Sequence, residues 1–267
     1  MTQPPLSRAV RQLKERLGVK LFERDIQHVA LTPAATDLLP RALRILALPD
    51  DAELALRARQ PGGMRLRLGL TSSMESDLFR AFTDRFSAAT GGGATALELL
   101  FDASPRLVAR LRARRLDAAV IALPIKTFDL PVLRLGKQPT LVALASRHPL
   151  ARRRGLALTD LREQPVDWFE RARQPAFFDH CHAVFRKHGF APRFLLEPHD
   201  HHLLLSDVAA GKGMALLPAS FAAIRRPGIA YRKLKEGDEL AAGLGLIVAE
   251  GRPAAALLRR LAGETLG

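Results

Sequence analysis

The order of elements between Thr2 and Ala35 constrains this chain more than anything after it. Thr2 is placed to cap a helix, and Pro4 and Pro5 fall in its first turn, where a missing N–H costs nothing. Leu6, Val10, Leu13 and Leu17 recur at spacings of four, three and four, which sets them on one helix face. Gly18 stops the helix as the residue just beyond its last turn. The opposite face carries Ser7, Arg8, Arg11 and Lys14, short or cationic donors suited to phosphates and to guanine edges. Two apolar runs follow, Val19 to Phe22 and Val29 to Leu31. They flank the polar tip Glu23-Arg24-Asp25-Ile26-Gln27-His28, a hairpin pattern with a basic wing. Thr32-Pro33 repeats the cap-then-proline signal and opens a long helix.

Helix, hairpin and long helix in this order resemble the winged helix-turn-helix of LysR-type transcriptional regulators. QPPLSR, then L-x-x-x-LGV-x-LFER, then LTPA carry the resemblance. It implies operator contacts from Gln3, Pro4, Pro5, Ser7, Arg8 and Arg11, with Arg24 and His28 along the adjacent backbone or minor groove. In the family two further helices precede this one, whereas the chain here starts at it. The expectation is therefore a partial, N-terminally truncated winged helix-turn-helix over residues 1–32. Leu6, Val10, Leu13, Leu17 and Phe22 are read as core, yet the stripe of Leu6, Val10 and Leu13 lacks those packing partners and should lie exposed or recruit another surface.

Residues 33–60 carry Leu39, Ala42, Leu46 and Leu56 at a spacing suited to helix pairing, with kinks expected at Pro40 and Pro49. The resemblance makes this a linker helix through which subunits form a homodimer or homotetramer. Gln60-Pro61-Gly62-Gly63 marks a boundary. Beyond it strands and helices alternate, a βαβ pattern for an α/β parallel sheet. Met64 to Leu70, Thr95 to Phe101 and Asp117 to Ala122 read as strands. Ser72 with Glu75 reads as a capping box, and Ser104-Pro105 as a second helix start. Leu141 to Ala145, Pro165 to Phe169 and Met214 to Leu217 continue the strands, Pro175 to His188 is a helix, and Asp200 caps another running to Gly211. Gly243 to Ala249 and Pro253 to Leu261 complete the pattern. The family resemblance, strengthened by the motif Gly211-Lys212-Gly213-Met214-Ala215-Leu216-Leu217-Pro218, implies an effector-binding domain over residues 64–267 with a type-2 periplasmic-binding-protein fold. Its subdomain I spans about 64–136 and 242–267, and subdomain II about 137–241.

Charge alone does not locate the function. The net charge is +14, but residues 1–60 hold ten Lys/Arg against seven Asp/Glu, so most of the excess lies downstream in runs such as Arg152-Arg153-Arg154. These read as solvated faces. No apolar run reaches the length of a membrane span, and Met1 leads straight into a polar helix without a signal-peptide pattern, so a cytoplasmic protein is expected. The single Cys181 rules out an internal disulfide.

Ligands of open α/β sheets bind outside the carboxyl ends of the strands. That rule selects Thr71, Ser72, Ser73 and Ser104 on one side, and Phe169 and His201 on the other, as an effector site for a small anion held by hydroxyls and helix N-termini. QPPLSR, Phe178-Asp179, Cys181 and Gly189-Phe190 look closest to regulators of aromatic-compound catabolism. Those often carry an arginine where this chain has Ile121-Ala122, which leaves the effector open. His180-Cys181-His182 and His199-Asp200-His201-His202 do not converge as a zinc set, and no nucleophile elbow or carboxylate pair is apparent. No metal, cofactor or catalytic residue is expected. The reading is a ligand-responsive regulator of double-stranded DNA, with RNA polymerase as a further partner implied by the resemblance. The alternative is a stand-alone small-molecule-binding protein that has lost operator binding.

Overall fold

The computed structural model describes residues 12–24, 29–38, 42, 64–90, 95–198, 200–252 and 254–267. Residues 12–17 form helix α1, closed by Gly18, whose φ of 66° is left-handed and whose N–H donates to the Lys14 carbonyl at 2.9 Å. Strands β1 (Phe22–Arg24) and β2 (Val29–Leu31) pair antiparallel as the expected hairpin. Thr32 then caps helix α2 (residues 33–38), accepting from the Ala35 N–H at 3.2 Å and donating to the Lys20 carbonyl. Leu13 and Leu17 are 44% and 42% exposed and Phe22 is only half-buried. This corrects their assignment as core. Among the described residues nothing packs over this face closely enough to bury them. Among the described residues of this unit the buried apolar ones are Leu21 and Ala35. Residues 39–41 and 43–63 lie outside the described residues, and with them Leu39, Leu46, Leu56, Pro40, Pro49 and the Gln60–Gly63 boundary.

Two sheets follow. The first has the order β4-β3-β5-β13-β6, built from β3 (Met64–Thr71), β4 (Thr95–Asp102), β5 (Ala118–Leu123), β6 (Leu133–Gln138) and β13 (Ala242–Val248). Strand β3 runs parallel to both neighbours, as the βαβ pattern predicts, while β13 lies antiparallel to β5 and β6. Helices α3 (Arg80–Ala89) and α7 (Ala255–Leu266) bury Phe82, Phe86, Leu258 and Leu261 in one core with Leu66, Leu68 and Leu70. Helix α4 (Ser104–Arg112) covers the opposite side with Leu107, Val108 and Leu111.

The second sheet has the order β10-β9-β11-β7-β12-β8. Its strands are β7 (Thr140–Ala145), β8 (Gly155–Leu156), β9 (Val166–Trp168), β10 (Phe194–Leu196), β11 (Met214–Pro218) and β12 (Ile229–Leu234). Helix α5 (Pro175–Lys187) packs Cys181, Val184 and Phe185 on one side, and α6 (His201–Ala210) packs Leu204, Leu205 and Val208 on the other. Asp200 caps α6 by accepting from the N–H groups of His202 and Leu203, and Gly211 ends it at φ 80°. Both follow the sequence pattern. The chain passes from β6 to β7 through Pro139 and returns from β12 to β13. Thr140 ties the two crossings together, since its N–H donates to the Gly237 carbonyl and its hydroxyl to the Leu240 carbonyl, each at 2.9 Å.

Two expected caps differ. Ser72 does not form a capping box. Glu75 takes the cap position, its carboxylate accepting from the Asp77 N–H at 2.7 Å, and the turn it opens is a short 3-10 segment before α3. Ser104 is the first helical residue of α4 and Ala103 stands at its N-cap. The reason is tertiary, because the Ser104 hydroxyl is engaged inside the sheet.

Candidate functional site

The carboxyl ends of both sheets face each other across a cleft of about 630 Å³, counted with its open mouth. Ser73 after β3, Ala122 in β5 and Ala242 in β13 form one wall. The other is made of Trp168 and Phe169 at the end of β9, Arg173 and Gln174 before α5, and Phe177 within it. Glu197 after β10, His201 at the start of α6, and Leu216, Leu217 and Phe221 close the rest. Phe169 and Phe177 stack with centroids 6.1 Å apart at 10°, and Trp168 leans on Phe169 at 4.8 Å. Most of the wall is therefore flat and apolar, with a few polar groups set into it.

Gln174 joins the two walls. It is buried, accepts from the Ser73 hydroxyl at 3.1 Å and donates to the Ala122 carbonyl at 3.2 Å. Ser220 adds a second tie, accepting from the Glu75 N–H at 3.2 Å. Arg173 donates to Glu197 at 3.3 Å. Burial pushes the Glu197 carboxyl up to about 7; Arg173 opposes this and Asp167 adds to it. Asp167, buried on β9, rises to about 6 by burial first and the charge of Asp207 second. His201 is driven down to about 4, chiefly by burial and then by Arg173, with its ring edge-on to Phe221 at 4.8 Å. It is neutral at physiological pH.

The structure brings three of the sequence-selected residues, Ser73, Phe169 and His201, to the cleft. Thr71 and Ser104 lie beneath its wall, fully buried, with their hydroxyls 2.8 Å apart. Ser104 also accepts from the Ala122 N–H at 2.9 Å, and Thr71 from the Ser73 N–H at 3.3 Å. Their hydroxyls are committed to holding strand ends in place. Ser72 is half-buried, with its N–H on the Asp102 carbonyl, and is not part of the cleft wall. Gln3, Pro4, Pro5, Ser7, Arg8, Arg11 and His28 lie outside the described residues, and Arg24 is described only as the strand position paired with Val29. Sequence reasoning missed Trp168, Arg173, Gln174 and Glu197. The strand-end rule would have reached Glu197 had the three-residue β10 been recognised. Among the described residues no group of three or more His, Cys, Asp or Glu is arranged to hold a metal, and no helix is long and apolar enough to cross a membrane.

Residues 59–266 match the LysR substrate binding domain, and residues 1–36 match the bacterial regulatory helix-turn-helix protein, lysR family. The chain belongs to the LysR family of transcriptional regulators. Among the relatives of this LysR-type regulator, HTH-type transcriptional regulator TdfR of Cupriavidus pinatubonensis (strain JMP 134 / LMG 1197) is 30% identical over 240 residues, covering 90% of this chain and 81% of that protein. The crystal structure of full-length BenM matches in fold with a TM-score of 0.65 and 24% identity, over 99% of this chain and 89% of that one. The BenM effector binding domain with its effector benzoate matches with a TM-score of 0.65 and 23% identity, covering 75% of this chain and 92% of that one.

In this LysR-type regulator the Ser104 hydroxyl is a structural bridge, and its removal is measurable. Ser104→Ala strands the buried Ala122 N–H and should cost about 1–3 kcal/mol in thermal or urea unfolding. A loss below about 0.5 kcal/mol, the range of ordinary surface changes, would contradict this role.

Proposed function

We propose that this regulator reads operator DNA with its N-terminal helix and wing and takes a small anionic effector in the cleft between its two sheets. The proposed division is residues 1–32 for DNA reading, 33–60 for the linker and pairing helix, and 64–267 for the effector domain. The single observation that carries the effector reading is the apolar cleft itself, closed by groups from both sheets and latched across by Gln174. A ligand seated there touches both walls, so it favours one angle between them in proportion to its differential affinity, typically about 1–3 kcal/mol. Linker helices paired in a dimer or tetramer convert that angle into the spacing of the DNA-reading heads. The neighbouring effector domain whose bound effector is benzoate supports an anion with an apolar body.

Cys181 argues against a thiol-based signal. It is the chain's lone cysteine, fully buried, and burial pushes its thiol up to about 12, so almost no thiolate exists at neutral pH.

Gln3, Pro5, Ser7 and Arg8 supply the base-proximal contacts in this reading, and Arg24 and His28 lie along the backbone. Arg8→Ala should weaken operator binding by about 1–3 kcal/mol in a gel-shift titration at fixed salt. Equal affinity of the variant and the parent protein for the operator would remove Arg8 from the interface.

A further inference from the structure

Arg173 is the only lysine or arginine among the described residues that line the cleft. Only one hydrogen bond, at 3.3 Å, joins it to Glu197, whose side chain is 9% exposed. A guanidinium has five N–H donors in a planar fork, so most of its capacity is open to a ligand. The stacked faces of Phe169 and Phe177 lie on the same wall. Resting on the cleft being the effector site, we infer that the effector is a flat, unsaturated carboxylate that takes Arg173 from Glu197, and that Glu197 leaves the pair by accepting a proton from solvent.

The surrounding charges favour that exchange. Asp167 on β9 repels an ionised Glu197, and the charge of Asp207 on α6, which pairs with Lys212 at 2.7 Å, holds the Asp167 carboxyl itself up. His201 at the start of α6 is neutral and contributes no cation. Once a ligand carboxylate sits on Arg173, it and Glu197 compete for one guanidinium. Glu197 titrates at about 7 before the ligand arrives, and the added negative charge raises it further. Binding therefore takes up a proton above that pH. Affinity should be level below it and fall about tenfold per pH unit above it.

Trp168, the only tryptophan of the chain, lines the cleft, so its fluorescence reports occupancy. The test titrates the full chain with cinnamate, and with its neutral amide, at about pH 6 and about pH 8.5. Cinnamate should bind about thirtyfold more weakly at the higher pH, while the amide should bind weakly and equally at both. Glu197→Gln should abolish the pH dependence, and Arg173→Gln should abolish the preference for cinnamate over its amide. Equal cinnamate affinity at the two pH values, or a pH dependence that survives in Glu197→Gln, overturns the exchange. If the amide changes Trp168 emission and cinnamate does not, the carboxylate inference falls and the effector cleft stands. If neither does at millimolar concentration, both fall.

Discussion

Phe185→Ala should destabilise the protein by about 3–5 kcal/mol and lower its melting temperature by roughly 10 °C. Phe185 is 1% exposed and sits behind the cleft wall, its ring centroid 5.1 Å from Trp168 and from Phe190, 5.4 Å from His182 and 5.9 Å from Phe194. Its removal leaves a void that these rings close only by giving up their own packing. Trp168 is the ring that reaches the cleft, so the variant should also show shifted tryptophan emission while still folded. A loss under about 1 kcal/mol, or unchanged emission, would mean that the cleft wall does not depend on this core.

Asp117→Ala should destabilise the first sheet by about 2–4 kcal/mol. Asp117 lies at the start of β5 and is 1% exposed. Its carboxylate accepts from the Arg67 backbone N–H at 2.7 Å, meets the Arg67 guanidinium at 3.2 Å and meets Arg252 at 3.0 Å. One side chain thus ties β3, β5 and the segment after β13 together at the end of the sheet opposite the cleft. Without it two cations and a strand N–H lose their acceptor. Both arginines keep about a fifth of their side chains in water, which holds the cost below that of a fully buried pair. Asp117→Asn should recover part of the loss, because an amide oxygen still accepts from the Arg67 N–H. Urea unfolding of the two variants side by side provides the check, and equal stability of Asp117→Ala and the parent protein would refute it.

Signals confined to a few neighbouring residues were legible without coordinates. Gly18, Thr32, Asp200 and Gly211 act at helix ends as their residue types dictate, because a cap is completed within one turn of backbone. The alternation of strands and helices from Met64 onward likewise yields the parallel β4-β3-β5 core of the first sheet. Strands β6 and β12 escaped that reading, since neither presents a clean apolar face; their residues are exposed or half-buried apart from Leu234.

The sequence by itself determined the family, the chain order of most elements, the strand ends that carry Ser73 and Phe169, and the helix start that carries His201. Only the tertiary structure decided which side chains reach the cleft. Ser104 has the residue type and position of a ligand-binding hydroxyl, yet the Ala122 N–H and Thr71 turn it inward, and both are contributed by other strands. Arg173 and Glu197 lie 24 residues apart and carry no local pattern. They meet because β9 and β10 pair in parallel and deliver their carboxyl ends to the same edge. A cap is a contact between near neighbours, which periodicity and residue type encode. A cleft is a contact between chain segments whose distance is set by sheet order, and no local spacing records that order.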